Sequence, residues 1–297
     1  MSLTPFHGDD VSPSAPDQAL FHVIPVPLEE TVSYAGGTAG GPQAILEASC
    51  QLELFDGKSV PAQYGIHTTL PLDCTRPILQ TLAELEERVS RTAACGAVPV
   101  VLGGEHSLTA ACVRGISRHH HNFGIVQFDA HADLRDSYHG SKESHASVMR
   151  RIHEEDIPIY QIGTRSYSLE EHDFRRENNI PFVDAEEVWR KGAGSIRLPV
   201  DFPENIYITF DVDCFDAAVM PATGTPVPGG LHWYQVIEIL ENLLQSRLCL
   251  GFDLVELAPL PSMHGATFTV AQLAYNMMGY LVRSPKAKKH YTTLSCP

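Results

Sequence analysis

Three short runs of this chain concentrate side chains that bind cations and move protons: Gly103-Gly104-Glu105-His106-Ser107, Asp129-Ala130-His131-Ala132-Asp133 and Asp211-Val212-Asp213. Carboxylates and imidazoles are ligands for hard and borderline divalent metals. In an extended segment the side chains at i, i+2 and i+4 point to one side, so Asp129, His131 and Asp133 can feed two adjacent cations. Asp211 and Asp213 repeat that spacing, and His106 adds an imidazole from a third run. Four aspartates in one crevice cannot stay ionised and buried without a counter-charge. Two divalent cations supply it. With no thiolate in the set, Mn²⁺ fits better than a structural Zn²⁺, while Zn²⁺, Co²⁺, Ni²⁺ and Fe²⁺ are compatible. Taken singly, each run has a plainer explanation: a solvated turn, a cap, or a strand-to-helix turn using glycine for its backbone freedom. Taken together and in order, they do not.

The elements that must position these runs are legible around them. Each run follows an apolar stretch that reads as a buried strand, at 98–102, 124–128 and 206–210. Further strands are expected at 21–27, 64–69, 157–162 and 248–254, with an edge strand at 181–183. Helices are expected at 41–49, 77–94, from His106 onward, and at 146–155, 169–178, 231–245 and 267–282. Pro77 at the start of the second helix and the spacing of Ile78, Leu82, Leu85 and Val89 are helical signatures. Strands alternating with helices imply βαβ units and one mostly parallel sheet covered on both faces. In such sheets, ligands bind just beyond the carboxyl ends of the strands. Residues 1–20, which mix Pro, Ser and Asp without periodicity, are expected to form a flexible arm, and 21–297 a single domain.

The remaining composition narrows the partners. A formal net charge of −15 disfavours nucleic acid and acidic membranes; it suits a small cationic substrate or serves solubility alone. No apolar run is long enough to span a bilayer. Seven cysteines are scattered without zinc-type pairing. Cys95, Cys112 and Cys249 read as small buried hydrophobes, and a reduced cytoplasm is the expected location. His119-His120-His121 reads as a solvated turn after a helix, and 286–289 as a short exposed basic run.

At this level the chain closely resembles the ureohydrolase family, which contains the arginases and agmatinases. The resemblance runs from about 23 to 282 and rests on Ser33-Tyr34 with Gly36-Gly37, on Gly103 to Ser107, and on Phe128-Asp129-Ala130-His131-Ala132-Asp133. It continues through Phe210 to Asp216, Pro221-Ala222-Thr223-Gly224-Thr225-Pro226 and Asp253-Leu254-Val255-Glu256. It implies a three-layer α/β/α fold with a mostly parallel central sheet of about eight strands. It implies hydrolysis of a guanidino group to urea and an amine, and a homo-oligomer, trimer or hexamer. By resemblance, His106, Asp129, Asp133 and Asp211 would hold one metal, and Asp129, His131, Asp211 and Asp213 the other. Asp133 also falls where the family carries a proton to the leaving nitrogen. His145 matches a proton-shuttling histidine, Glu256 the carboxylate that pairs with the guanidinium, and Thr225 a residue that orients substrate. A lone histidine at a helix start is more often a cap or a surface group, and a carboxylate ending a buried strand has a helix cap as its alternative.

The loop after the second run bears on the substrate. Ala132-Asp133-Leu134-Arg135-Asp136 is similar to prokaryotic agmatinases and departs from arginases, which carry asparagine where Arg135 stands. Agmatine, giving putrescine and urea, is therefore the expected substrate. Arg135 is a cation beside a site for a dication, so an acid such as Asp136 or Glu143 should neutralise it; facing the pocket unpaired, it would favour 4-guanidinobutyrate. N1-aminopropylagmatine and arginine are further alternatives. Ala146 replaces a glycine common after this histidine. The competing class is a non-catalytic metal-bound scaffold or regulatory protein, whose mark would be a lost ligand or a lost His145. None is lost.

Overall fold

The computed structural model describes residues 4–286. The first three residues of the expected arm, Cys296 and residues 287–289 of the basic run lie outside them. The apolar runs become eight strands: β1 (Phe21–Val26), β2 (Ile66–Thr68), β3 (Val98–Gly103), β4 (Phe123–Phe128), β5 (Ile159–Ile162), β6 (Phe182–Val183), β7 (Asn205–Asp211) and β8 (Leu248–Val255). They form one sheet in the order β2-β1-β3-β8-β7-β4-β5-β6, with every neighbouring pair parallel.

Alternation along each strand feeds two separate cores. Phe21 and Val23 of β1 pack into one, Ile24 and Val26 into the other; in β7, Ile206, Ile208 and Phe210 oppose Tyr207. Helices α1 (Gly41–Ser49), α7 (Trp233–Ser246) and α8 (His264–Arg283) cover the first core. Helices α2 (Ile78–Ala94), α3 (Thr109–Ser117) and α4 (Val148–His153) cover the second. Each buried Leu or Ile contributes roughly 1.5–3 kcal/mol, so neither face tolerates exposure. The three-layer α/β/α architecture expected from the sequence is the one observed. In α2 the buried stripe is Leu82, Leu85 and Val89, while Arg88 and Arg91 pair outward with Glu84 and Glu87 four residues earlier.

Several local expectations change. The helix after His106 starts as a 3₁₀ turn, His106–Leu108, before α3, and the segment at His145 does the same before α4. A helix not expected from the sequence, α6 (Ala185–Lys191), follows β6; only Ala185 and Val188 of it are buried, too few to show a period. Part of the segment before β1 is anchored to the domain, although residues 8–18 are exposed or half-buried. Phe6 and His7 are buried, the Phe6 amide donates to Thr68 Oγ1 at 3.0 Å, and the His7 amide to Ser49 Oγ at 2.9 Å. Cys112 and Cys249 are buried, but Cys95 at the end of α2 is half-buried. His119 sits exposed beyond α3, with Nε2 2.9 Å from Ser90 Oγ. Among the described residues, no helix is long and apolar enough to cross a membrane.

The four central strands β3, β8, β7 and β4 are consecutive neighbours, so their carboxyl ends bring residues from 103 to 256 into one crevice. Gly103 and Gly104 make the first exit from the sheet. Neither has a left-handed backbone; the constraint is close approach. A Cβ on Gly104 would lie 2.0 Å from the Leu28 carbonyl oxygen, and one on Gly103 2.6 Å from Leu108 Cδ2. The Gly104→Ala variant is therefore expected to lose about 2–4 kcal/mol of stability, read as a lowered urea midpoint at unchanged slope. A loss below about 1 kcal/mol would show that the loop at Leu28 gives way freely.

Candidate metal centre

His106 is placed by backbone and side chain together. Its amide donates to Glu256 Oε1 at 2.6 Å, and its Nε2 lies 2.8 Å from Thr209 Oγ1. Thr209 donates its own proton to Asp253 Oδ1 at 2.6 Å, and Thr109 and Tyr207 donate to Asp253 Oδ2. Thr209 must therefore accept from His106, which makes Nε2 the protonated ring nitrogen. The other nitrogen, Nδ1, is buried and has no hydrogen-bond partner among the described residues. It lies 3.1, 3.0 and 3.6 Å from carboxylate oxygens of Asp129, Asp133 and Asp211. A lone pair aimed at three carboxylates is repulsive unless a cation sits between them.

The second half is built the same way. Asp129 accepts from the His131 amide at 2.6 Å and from Gln127 Nε2 at 2.7 Å. Asp213 accepts from the Ala130 amide, and Asp211 from the Asp213 amide. His131 Nδ1 is 3.0 Å from Asp213 Oδ2 and 3.5 Å from Asp129 Oδ1. Two groups have ligand atoms close enough to share one ion each: His106, Asp129 and Asp133, and Asp129, His131 and Asp213. Asp129 belongs to both. The donor set, oxygens with one imidazole per group, fits two divalent ions.

Without metal the cluster holds protons instead. Burial and the neighbouring Asp129 push the Asp133 carboxyl up to about 7. Burial, Asp213 and Asp129 raise Asp211 far above the carboxylate range. Burial raises Glu256 to about 8. For His131 burial acts downward, but Asp213 and Asp129 outweigh it and lift the ring to about 12. His106 is likewise lifted by its three carboxylates against the effect of burial. Asp129 alone moves down: burial opposes ionisation, and the two imidazoles overcome it.

The pocket above this floor holds about 330 Å³ and is lined by every sequence-derived candidate except Asp129 and Asp213, which lie beneath. Glu256 and Asp133 both have left-handed backbones, φ 65° and 52°, a strain that clusters at functional sites. Glu256 serves as a cap as well as lining the pocket, because it receives the His106 amide from across the sheet. Thr225, His145 and Ala146 line the wall. Arg135 faces the pocket, but its neutralising acid is neither Asp136 nor Glu143. Its Nε lies 3.7 Å from Glu171 Oε2 and its guanidinium 5.2 Å from the Tyr138 ring. Asp136 pairs with Arg151 instead.

Sequence reasoning gives no role to several residues that hold the site. Asp253, Thr209 and Gln127 orient ligands. Arg165 gathers the carbonyls of Gly163, Asp213, Phe215 and Val227, tying the loop after β5 to the one after β7. Glu29 accepts from the amides of Gly37 and Ala39 and shapes the rim that carries Ser33 and Tyr34. Apart from the motif runs containing Asp253 and Gly37, no local spacing marks them, because each acts across the fold.

The raised groups fix two expectations. In the metal-free protein the folded state binds more protons than the unfolded chain from about pH 4 to 8. Its melting temperature should therefore fall as pH rises through that window, and saturating divalent metal should reverse the trend. Metal binding at pH 7 should also release protons, measured by calorimetry in buffers of different ionisation enthalpy. No release would mean that the carboxyls are already ionised without metal.

Comparison with known proteins agrees with this geometry. The family model described as "Arginase family" matches residues 19–279. An N(1)-aminopropylagmatine ureohydrolase of Synechocystis is 39% identical over 281 residues, 90% of each chain. An agmatinase of Pyrococcus horikoshii is 34% identical, covering 89% of this chain and 93% of its own. The crystal structure of agmatine ureohydrolase of Thermoplasma volcanium superposes with a TM-score of 0.86 at 29% identity, covering 98% of this chain and 96% of that one. By motif, fold and matched length, the chain belongs to the arginase family.

Proposed function

We propose that this arginase-family ureohydrolase cleaves the guanidino group of a linear aliphatic amine, with agmatine as substrate and putrescine and urea as products. The observation that carries the reading is the pair of carboxylate–imidazole groups sharing Asp129, at the floor of a pocket that also presents Glu256 and His145. Two divalent ions, Mn²⁺ as the best fit, would be held by His106, Asp129, Asp133 and Asp211 and by Asp129, His131, Asp211 and Asp213, and would supply Lewis acidity that makes water a nucleophile near neutral pH.

The chain's own residues account for the rest. A guanidinium is resonance-stabilised and cationic, so its carbon must be presented in a fixed orientation. Glu256 supplies a carboxylate for it and Thr225 a hydroxyl. Hydrolysis joins one water to the substrate and breaks the bond from carbon to the alkyl nitrogen, which must gain a proton to leave as an amine. Asp133, at the pocket floor, carries that proton. His145 exchanges protons between the cleft and solvent. Burial holds its pKa below the ordinary histidine value, so it is a neutral base at pH 7.

The tail of the substrate is read by the outer wall. Arg135 beside Glu171 gives a pair with no net charge, which offers a terminal carboxylate little attraction and a terminal ammonium little repulsion. N1-aminopropylagmatine is a second reading, favoured by the relative at 39% identity that bears its name. Urea release by Mn²⁺-loaded protein from agmatine, N1-aminopropylagmatine, 4-guanidinobutyrate and arginine separates the cases. One of the two amines should exceed both carboxylates in kcat/KM by about 100-fold, near 2.7 kcal/mol. A preference for 4-guanidinobutyrate would mean that Arg135 acts unpaired. No urea from any of them with both metals bound would leave the non-catalytic reading. Asp211→Asn, which removes a charge from the floor, should abolish turnover and weaken binding of the second metal; two metals retained at full activity would overturn the ligand assignment.

A further inference from the structure

The loop after β1 carries a residue whose bonding determines which nitrogen of His145 can take a proton. Thr31 Oγ1 has three neighbours: Glu105 Oε1 at 2.9 Å, the His145 amide nitrogen at 3.0 Å and His145 Nδ1 at 3.1 Å. A hydroxyl has one proton and two lone pairs. The His145 amide can only donate. Glu105 is fully buried and accepts from the Glu30 and Thr31 amides at 2.5 and 2.6 Å and from Ser107 Oγ at 2.5 Å. A carboxylate so surrounded by donors takes the threonine proton as a charge-assisted bond. One lone pair of Thr31 is left, and it faces Nδ1. Ser144 Oγ, the other neighbour of Nδ1, is 3.5 Å away, too far for a firm bond.

We propose that Thr31 is a positioning residue that fixes His145 as the Nδ1–H tautomer and leaves Nε2 as the proton-accepting atom in the cleft. This rests on the ureohydrolase reading for its functional meaning. Nε2 lies 3.4 Å from Ser33 Oγ on the pocket wall, and the Tyr138 ring packs edge-on against the imidazole at 5.9 Å. The charged groups around the ring are Glu105, reached through Thr31, and the imidazoles of His106 and His131. Because the ring is neutral at pH 7, its tautomer decides whether the atom facing substrate is an acceptor or a donor. The motif glutamate Glu105 thus holds the threonine that in turn holds the histidine.

The test uses ¹⁵N-histidine-labelled holoprotein loaded with diamagnetic Zn²⁺, with two-bond ¹⁵N–¹H correlation spectra and His145→Asn for assignment. In wild type and Thr31→Ser, His145 should show a protonated Nδ1 and an unprotonated Nε2. In the isosteric Thr31→Val the tautomers should mix or invert. In parallel, Thr31→Val should lower kcat about tenfold or more with KM changed less than about threefold, and Thr31→Ser should restore it. A protonated Nε2 in the wild type, or an unchanged spectrum in Thr31→Val, overturns the proposal. The spectra need no turnover, so failure of the activity shows only in urea release and failure of the tautomer assignment only in the spectra.

Discussion

Mutual repulsion among Asp129, Asp133, Asp211 and Asp213, all nearly excluded from solvent, is the constraint around which this molecule is organised. An isolated buried carboxylate costs several kcal/mol even after relaxation, and four together cannot be ionised unaided. The metal-free chain meets this by keeping protons on Asp133 and Asp211 and on both imidazoles. A pair of divalent ions meets it better, because each replaces protons with two charges at the point where the lone pairs converge. The same convergence of carboxylates that retains protons makes the cluster fit for cations.

Holding such a cluster requires a scaffold that cannot relax around it. A parallel sheet buried on both faces provides one, since the exits of β3, β8, β7 and β4 are fixed by ladder hydrogen bonds and by packing in two cores. The polar groups behind the ligands are arranged with equal economy. Asp253 collects Thr209, Thr109 and Tyr207, and through Thr209 it sets the proton on His106 Nε2. Gln161 donates to Gln127, which donates to Asp129. These partners fix ring and carboxylate orientation, as outer partners of metal ligands commonly do. His106 and His145 are thus oriented by matching devices, a carboxylate acting through a threonine hydroxyl, with opposite ring nitrogens left open.

The sheet and the metal-facing residues are legible in the sequence because both are local signals. A period of two beside Asp-x-His-x-Asp needs no knowledge of the rest of the chain, and the expected strand ends at 102, 128 and 210 fall within a residue of those observed. What stays hidden is what depends on distant partners. Helix α6 escapes notice because its two buried residues give no stripe, although Asp184, the early glutamates and the late Arg190 and Lys191 mark its ends. Packing of Phe6 depends on Tyr275, a separation no window can see. Backbone freedom is the obvious reason for Gly104 in the sequence, whereas the operative one is the Leu28 carbonyl. Thr31 sits in a loop of ordinary composition, 114 positions from the histidine it contacts.

The floor of the pocket and its outer wall are therefore built by different parts of the chain. The candidate ligands and Glu256 stand at or just past the ends of β3, β4, β7 and β8, where the sheet fixes the exit of the chain. The residues of the pocket's outer wall, among them Tyr34, Arg135, Tyr138, Tyr167 and Glu171, stand on the loops after β1, β4 and β5 or at the start of α5 (Leu169–Glu177). Loops can change without disturbing a buried sheet. Yet this outer wall is not soft: Glu171 is nearly buried, closes the capping box of α5 with Ser168, and also accepts the Leu134 amide. The acid that faces Arg135 is thus held by the same strand-to-loop junction that carries Asp133. A change at Glu171 would disturb the cap, the pairing of Arg135 and the backbone beside a candidate ligand at once, whereas a change at Arg135 reaches only its partners on the wall, Glu171 and the Tyr138 ring. In this fold the charge of the outer wall can change through Arg135 while the floor stays intact, and that asymmetry follows from where Glu171 is bonded.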